Sequence, residues 1–151
     1  MTKYLSIFLL SMMLCGGEKV RIVESTSQEW VGGLRESGYG TEYIITVKVK
    51  AGSDQLQFED LWAGENHMKV RVIVDPANLK EKSFKKGSLI SVRAGFTLRP
   101  DAEGQMKPAN ADQSEKPFNF KGEGLLGYSY KGQKAYLEIS EFKQLEKLIY
   151  P

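Results

Sequence analysis

The chain has 151 residues, with 21 Lys plus Arg against 19 Asp plus Glu, one histidine and one cysteine. A net charge of +2, with signs alternating along the chain, provides no basic stripe to neutralise phosphates and argues against a nucleic-acid partner. The lone cysteine excludes disulfides within the chain, the lone histidine excludes zinc sites built from several His and Cys, and the length suits one domain held by an apolar core.

Met1, Thr2 and Lys3 form a short cationic start, and from Tyr4 to Leu14 only Ser6 and Ser11 are polar. This matches the charged and apolar regions of an export signal, and it is far shorter than the roughly 20 residues needed to cross a bilayer. Cys15 follows at once, then Gly16 and Gly17. In that arrangement the segment resembles the signal of bacterial lipoproteins, whose cysteine is lipidated on sulfur and becomes the first mature residue. The family favours a small residue just before the cysteine, where this chain has Leu14. The resemblance implies a signal peptide over 1–14, a lipidated N-terminus and short tether over 15–19, and export to the cell envelope with a membrane anchor at Cys15. Beyond that signal, the chain is similar only in pattern to the small β-rich envelope lipoproteins of unknown function. Cleavage after Gly17 is the competing outcome, since Cys15 and Gly17 form a small-x-small site, and it would leave a soluble periplasmic or secreted protein.

Downstream, residues 20–151 read as a single domain rich in period-two alternation. Val20 to Val23 is a first strand, and Ser25 to Thr41, with four glycines, reads as irregular. Tyr43, Ile45, Val47 and Val49 then place an apolar row on one face, Ala51 to Asp54 make a turn, and Leu56 and Phe58 begin the next strand. Met68, Val70, Val72 and Val74 alternate with His67, Lys69 and Arg71 as one strand ended by Asp75-Pro76. Ile90, Val92, Ala94, Phe96 and Leu98 form another apolar row. Residues 100–117 are polar, with three prolines, and read as an irregular, disordered loop. Phe118 and Phe120 are candidates for a short strand. About Gly132 a tight turn pairs Tyr128 with either Ala135 or Leu137; both registers keep the same face. After Ser140, the spacing of Phe142, Leu145 and Leu148 allows either helical turns or an extended tail. Strands with one wet and one dry face, short turns and little helical periodicity predict an all-β antiparallel sandwich with a long polar loop, an immunoglobulin-like arrangement being one form of it and a barrel the second choice.

Few residues carry chemistry. His67 would have to serve any Ser-His-Asp triad, yet its parity puts it on the solvent face beside Lys69 and Arg71. Glu59 and Asp60 point to opposite faces unless a bulge intervenes, so they do not flank one bond as paired carboxylates about 5 to 9.5 Å apart would. Gly33 and Gly38 have half the spacing of a phosphate loop, but Tyr39 and Gly40 stand where Lys and Ser or Thr are needed. Trp30, Trp62 and Tyr39 are the candidate ligand-binding residues, large amphipathic rings near expected loops. The expectation is a lipid-anchored binding or structural module with an envelope protein or glycan as partner and with no catalytic residues, metal or cofactor. An exported glycan- or peptide-recognition domain is the alternative, and a carboxylate-dependent hydrolase the least supported.

Overall fold

The structure is a computed structural model that describes residues 19–109 and 114–151, so the leader, Cys15 and the middle of the polar loop lie outside the described residues. The described residues form eleven strands in chain order: β1 Val20–Val31, β2 Tyr39–Val49, β3 Leu56–Ala63, β4 Asn66–Lys69, β5 Arg71–Ile73, β6 Leu89–Pro100, β7 Met106–Pro108, β8 Gly124–Tyr130, β9 Gln133–Ile139, β10 Lys143–Gln144 and β11 Leu148–Ile149. They form two sheets: β10-β1-β2-β6-β5, with β11 also on β1 and β7 on β6, and β4-β3-β8-β9. The protein is an all-β sandwich. Its orders β1-β2-β6-β5 and β4-β3-β8-β9 are those of strands A-B-E-D and C′-C-F-G in immunoglobulin-type sandwiches, although one cysteine cannot supply their inter-sheet disulfide.

The dry faces meet between the sheets. Ile45, Val47, Val49 and Val92 on the first sheet and Leu61, Met68 and Leu126 on the second are all 0% exposed. The expected strand over Met68 to Val74 divides at Val70: β4 belongs to the second sheet and β5 to the first. Its alternation survives the crossing because Met68, Val70, Val72 and Val74 all pack on the same shared core.

β1 corrects the irregular reading of Ser25 to Thr41, because it runs on to Val31 and pairs with β2 as far as Val31↔Tyr39. A bulge between Ile22 and Glu24 breaks its alternation, and its later side chains are polar because they bind main chain: Ser25 Oγ donates to the Glu141 carbonyl and Gln28 Nε2 to the Glu146 carbonyl. Those carbonyls belong to the C-terminal tail, which is extended. β10 and β11 run parallel to β1, so the first sheet is mixed where a purely antiparallel one was expected. The tail gives its amides to β1, from Leu145 N–H to the Ser27 carbonyl and from Tyr150 N–H to that of Val31, which covers an edge that would otherwise be open.

The loop after β6 is also more ordered than its composition implied. β7 pairs with Leu98–Pro100, Asp101 Oδ1 accepts the N–H groups of Glu103 and Gln105, and Lys107 pairs with Asp101 at 2.9 Å. Polar side chains here build the turn, a role that a search for apolar anchors passes over. Phe118 and Phe120 lie outside any strand.

In the β8–β9 hairpin Tyr128 pairs with Ala135, and the turn residues Lys131 and Gly132 have φ of 51° and 79°. Positive φ at both centres is the type I′ geometry that Asn-Gly prefers, and lysine occupies it against its preference. Lys131→Asn is therefore expected to raise stability by about 0.5–1 kcal/mol, read as a higher urea midpoint at unchanged slope. A lower midpoint would contradict it.

Candidate functional site

The second sheet's outer face carries a polar network that sequence parity hides. A bulge at Glu59, between the pairs Phe58↔Tyr128 and Asp60↔Gly127, moves Asp60 and Trp62 onto the outer face and returns Leu61 to the core. There His67 is 1% exposed, which corrects its expected surface position. Its Nε2 lies 2.7 Å from Asp60 Oδ1, Lys69 Nζ donates to the same oxygen at 2.8 Å, and Nδ1 accepts the Ser114 N–H at 3.2 Å. Because Nδ1 accepts, the proton sits on Nε2, which donates to the carboxylate. Burial alone would raise the Asp60 carboxyl, but hydrogen bonds from Lys69 and His67 and the charge of Lys69 outweigh it and hold it below its ordinary 3.8.

Trp62 completes this patch as a covering side chain. It is 4% exposed, its ring lies tilted at 37° to that of His67 with centroids 5.0 Å apart, and its Nε1–H donates to the Ser114 carbonyl at 3.1 Å. Phe118 closes edge-on over Tyr136, which in turn meets Trp62. Residues from Ser114 onward thus lie on the outer face like a strap, and Trp62 offers a ligand no open ring. The Asp60–His67–Ser114 chain has a backbone amide where a Ser-His-Asp triad places a nucleophile, and Asp60 is committed to Lys69 and His67 despite the bulge. Among the described residues no cluster of three or more His, Cys, Asp or Glu is placed to hold a metal ion.

Trp30 and Tyr39 lie on opposite faces of the first sheet, because Trp30 is paired with Gly40 and Tyr39 with Val31. Both residues border a cleft of about 540 Å³ with Val31, Thr41, Phe96 and Leu98. Tyr39 is 44% exposed there. A second groove of about 430 Å³ lies on the sheet's outer face, walled by Gln28, Trp30, Glu42, Ile44, Arg93, Leu148 and Tyr150. Trp30 is the wall shared by both. Tyr150 meets it edge-on, with centroids 6.4 Å apart and planes at 69°.

The carboxylate of that groove is paired from beside it. Arg71 Nη2 donates to Glu42 Oε1 at 2.8 Å, and burial raises the Glu42 carboxyl above its ordinary value against the opposing pull of Arg71 and Arg93. Gly95 makes the room, since a Cβ there would stand 2.7 Å from Glu42 Oε2. Arg93 Nε is buried and meets no hydrogen-bond partner among the described residues.

Of the three rings singled out from sequence, Trp30 walls the outer-face groove, Tyr39 is exposed on the other face of the sheet, and Trp62 belongs to a packed network. Glu42, Arg93 and Tyr150 were not singled out, because only the pairing of β2 with β6 and of the tail with β1 brings them to Trp30. Among the described residues no helix is long and apolar enough to cross a membrane. No protein-family model matches the chain, and neither the curated proteins nor the solved structures contain a match to it.

Proposed function

We propose that this chain is a lipid-anchored binding module of the cell envelope, exported by its leader, tethered through Cys15 and recognising its ligand around Trp30. The observation that carries the binding reading is the aromatic corner that Trp30 makes with Tyr150 over the outer-face groove, with Tyr39 exposed in a second cleft at the same end of the strands. Concave sites with aromatic walls and a few placed polar groups are the usual form of ligand sites, and both volumes fall in the range of about 300–1,000 Å³ typical of them. The anchoring reading is supported by the lipoprotein-like leader ending at Cys15. Several acyl chains on one cysteine would hold the domain on a bilayer stably, whereas a single chain attaches only marginally.

The anchor is tested by intact-mass analysis of the mature protein purified from envelope membranes, together with Cys15→Ser. The expected result is an N-terminal Cys15 carrying fatty acyl mass, and transfer of the Ser variant to the soluble fraction. A wild-type product that begins at Glu18 and partitions into water would reject the tether and favour cleavage after Gly17.

A further inference from the structure

We infer that the groove between Trp30, Tyr150, Glu42 and Arg93 on the outer face of the first sheet is a binding site for a neutral saccharide chain. The inference rests on the reading of the chain as a binding module, and it names the ligand class.

The walls of the groove fit one face of a sugar ring. Trp30 and Tyr150 stand at 69° to one another with Leu148 beside them, so they form an apolar corner. A pyranose has a face of C–H groups that packs on such rings and an equator of hydroxyls that needs hydrogen-bond partners. The partners present are planar and two-sided. Glu42 supplies carboxylate oxygens, Arg93 a guanidinium fork, and Gln28 an amide whose nitrogen already binds the Glu146 carbonyl, leaving its oxygen as acceptor. Acceptor and donor side by side suit a hydroxyl, which is both.

Charge and topology disfavour other ligands. The charged residues lining the groove are one carboxylate, Glu42, and one guanidinium, Arg93, so its walls carry no net charge to draw a strongly ionic ligand, and Arg71 pairs with Glu42 at 2.8 Å from outside the lining. An extended peptide gains much of its affinity by adding to a free strand edge. Neither β1 nor β2 has one beside the groove, β1 being paired with β2 on one side and with β10 and β11 on the other and β2 lying between β1 and β6, and the free edge that borders the groove, β11, is only two residues long. A ligand here must be read by side chains on a sheet face.

The test is a titration of the ¹⁵N-labelled mature protein with cellotetraose, chitotetraose and maltotetraose, and separately with tetra-alanine, following the two indole N–H signals. Trp62, sealed under Ser114, serves as an internal reference. The expected result is a saturable shift of the Trp30 signal with at least one oligosaccharide and a still Trp62 signal. Trp30→Ala should abolish binding, read from backbone amides of β1 and β11, and Glu42→Gln and Arg93→Gln should each weaken it about tenfold. The dispersion of each variant's spectrum confirms that it is folded. If tetra-alanine moves Trp30 and no saccharide does, the saccharide assignment falls and the binding module stands. If Trp30 is unmoved in every arm, the saccharide assignment falls and the binding reading loses its site. If Glu42→Gln and Arg93→Gln bind a saccharide as tightly as wild type, the groove is not where it sits.

Discussion

Exchanging His67 for alanine is expected to lower the free energy of unfolding by about 3 kcal/mol, because it removes a charge-assisted hydrogen bond and strands a backbone amide together. The imidazole is 1% exposed and spans two parts of the chain, giving its Nε2 proton to Asp60 and accepting the Ser114 N–H. Without it, Ser114 loses its hold and the edge of Trp62 opens. The variant should therefore be cut by chymotrypsin at Phe118 faster than wild type, and its tryptophan emission should shift to the red. Acid separates the charge contribution from packing. Asp60 is held below 3.8 in the folded state, so its stabilisation is complete above that pH and is lost as pH falls through the lower folded value. The stability difference between wild type and variant should shrink over that acid range. Replacing both partners with apolar residues, Asp60→Leu with His67→Phe, should recover part of the loss, since no polar group of the pair is then left bare. A His67→Ala protein as stable as wild type would show that the imidazole fills space and holds nothing.

Stability should also fall on the alkaline side by about 2–3 kcal/mol through Tyr128 alone. Its side chain is 1% exposed in the middle of β8, and its hydroxyl is buried with no hydrogen-bond partner among the described residues. Burial pushes the phenol from 10 up to about 12. The folded state therefore keeps the neutral form where the unfolded chain ionises. Stability is complete below pH 10 and declines as pH rises from there towards about 12. Tyr128→Phe should abolish this decline and, by removing an unpartnered hydroxyl, be as stable as wild type or more so near neutrality. Urea unfolding of both proteins across the alkaline range reads the difference directly. Parallel curves would mean that the hydroxyl is hydrated or bonded in solution.

The legible part of the fold was the part whose two faces meet different surroundings. β2 and β6 alternate cleanly because one face meets the other sheet and the other meets water or the groove, so Ile45, Val47, Ile90 and Val92 could be placed from sequence. β1 is legible only over Val20 to Val23, since a bulge at Val23 shifts the parity and Ser25 and Gln28 serve the tail's carbonyls. His67 was misplaced for a different reason. Parity gave its face correctly as the one opposite Met68, but that face is covered by Ser114, 47 residues away, and a local pattern carries no sign of so distant a cover. The candidate site divided likewise. Trp30 and Tyr39 stand out by residue type, whereas Glu42 and Arg93 carry no local signal and come near one another only because β2 and β6 are neighbours. The hairpin register needed the turn itself, because a two-residue slip keeps every side chain on its face.

The direction of β1 has a consequence for reach. Val20 begins the strand five residues after Cys15, and Trp30 lies ten residues further along it. At roughly 3.3 Å per residue the strand is a spacer of about 33 Å. A fatty tether at Cys15 would fasten the near end of that spacer and leave the aromatic corner at the far end, clear of lipid headgroups and open to polymers in the surrounding aqueous layer.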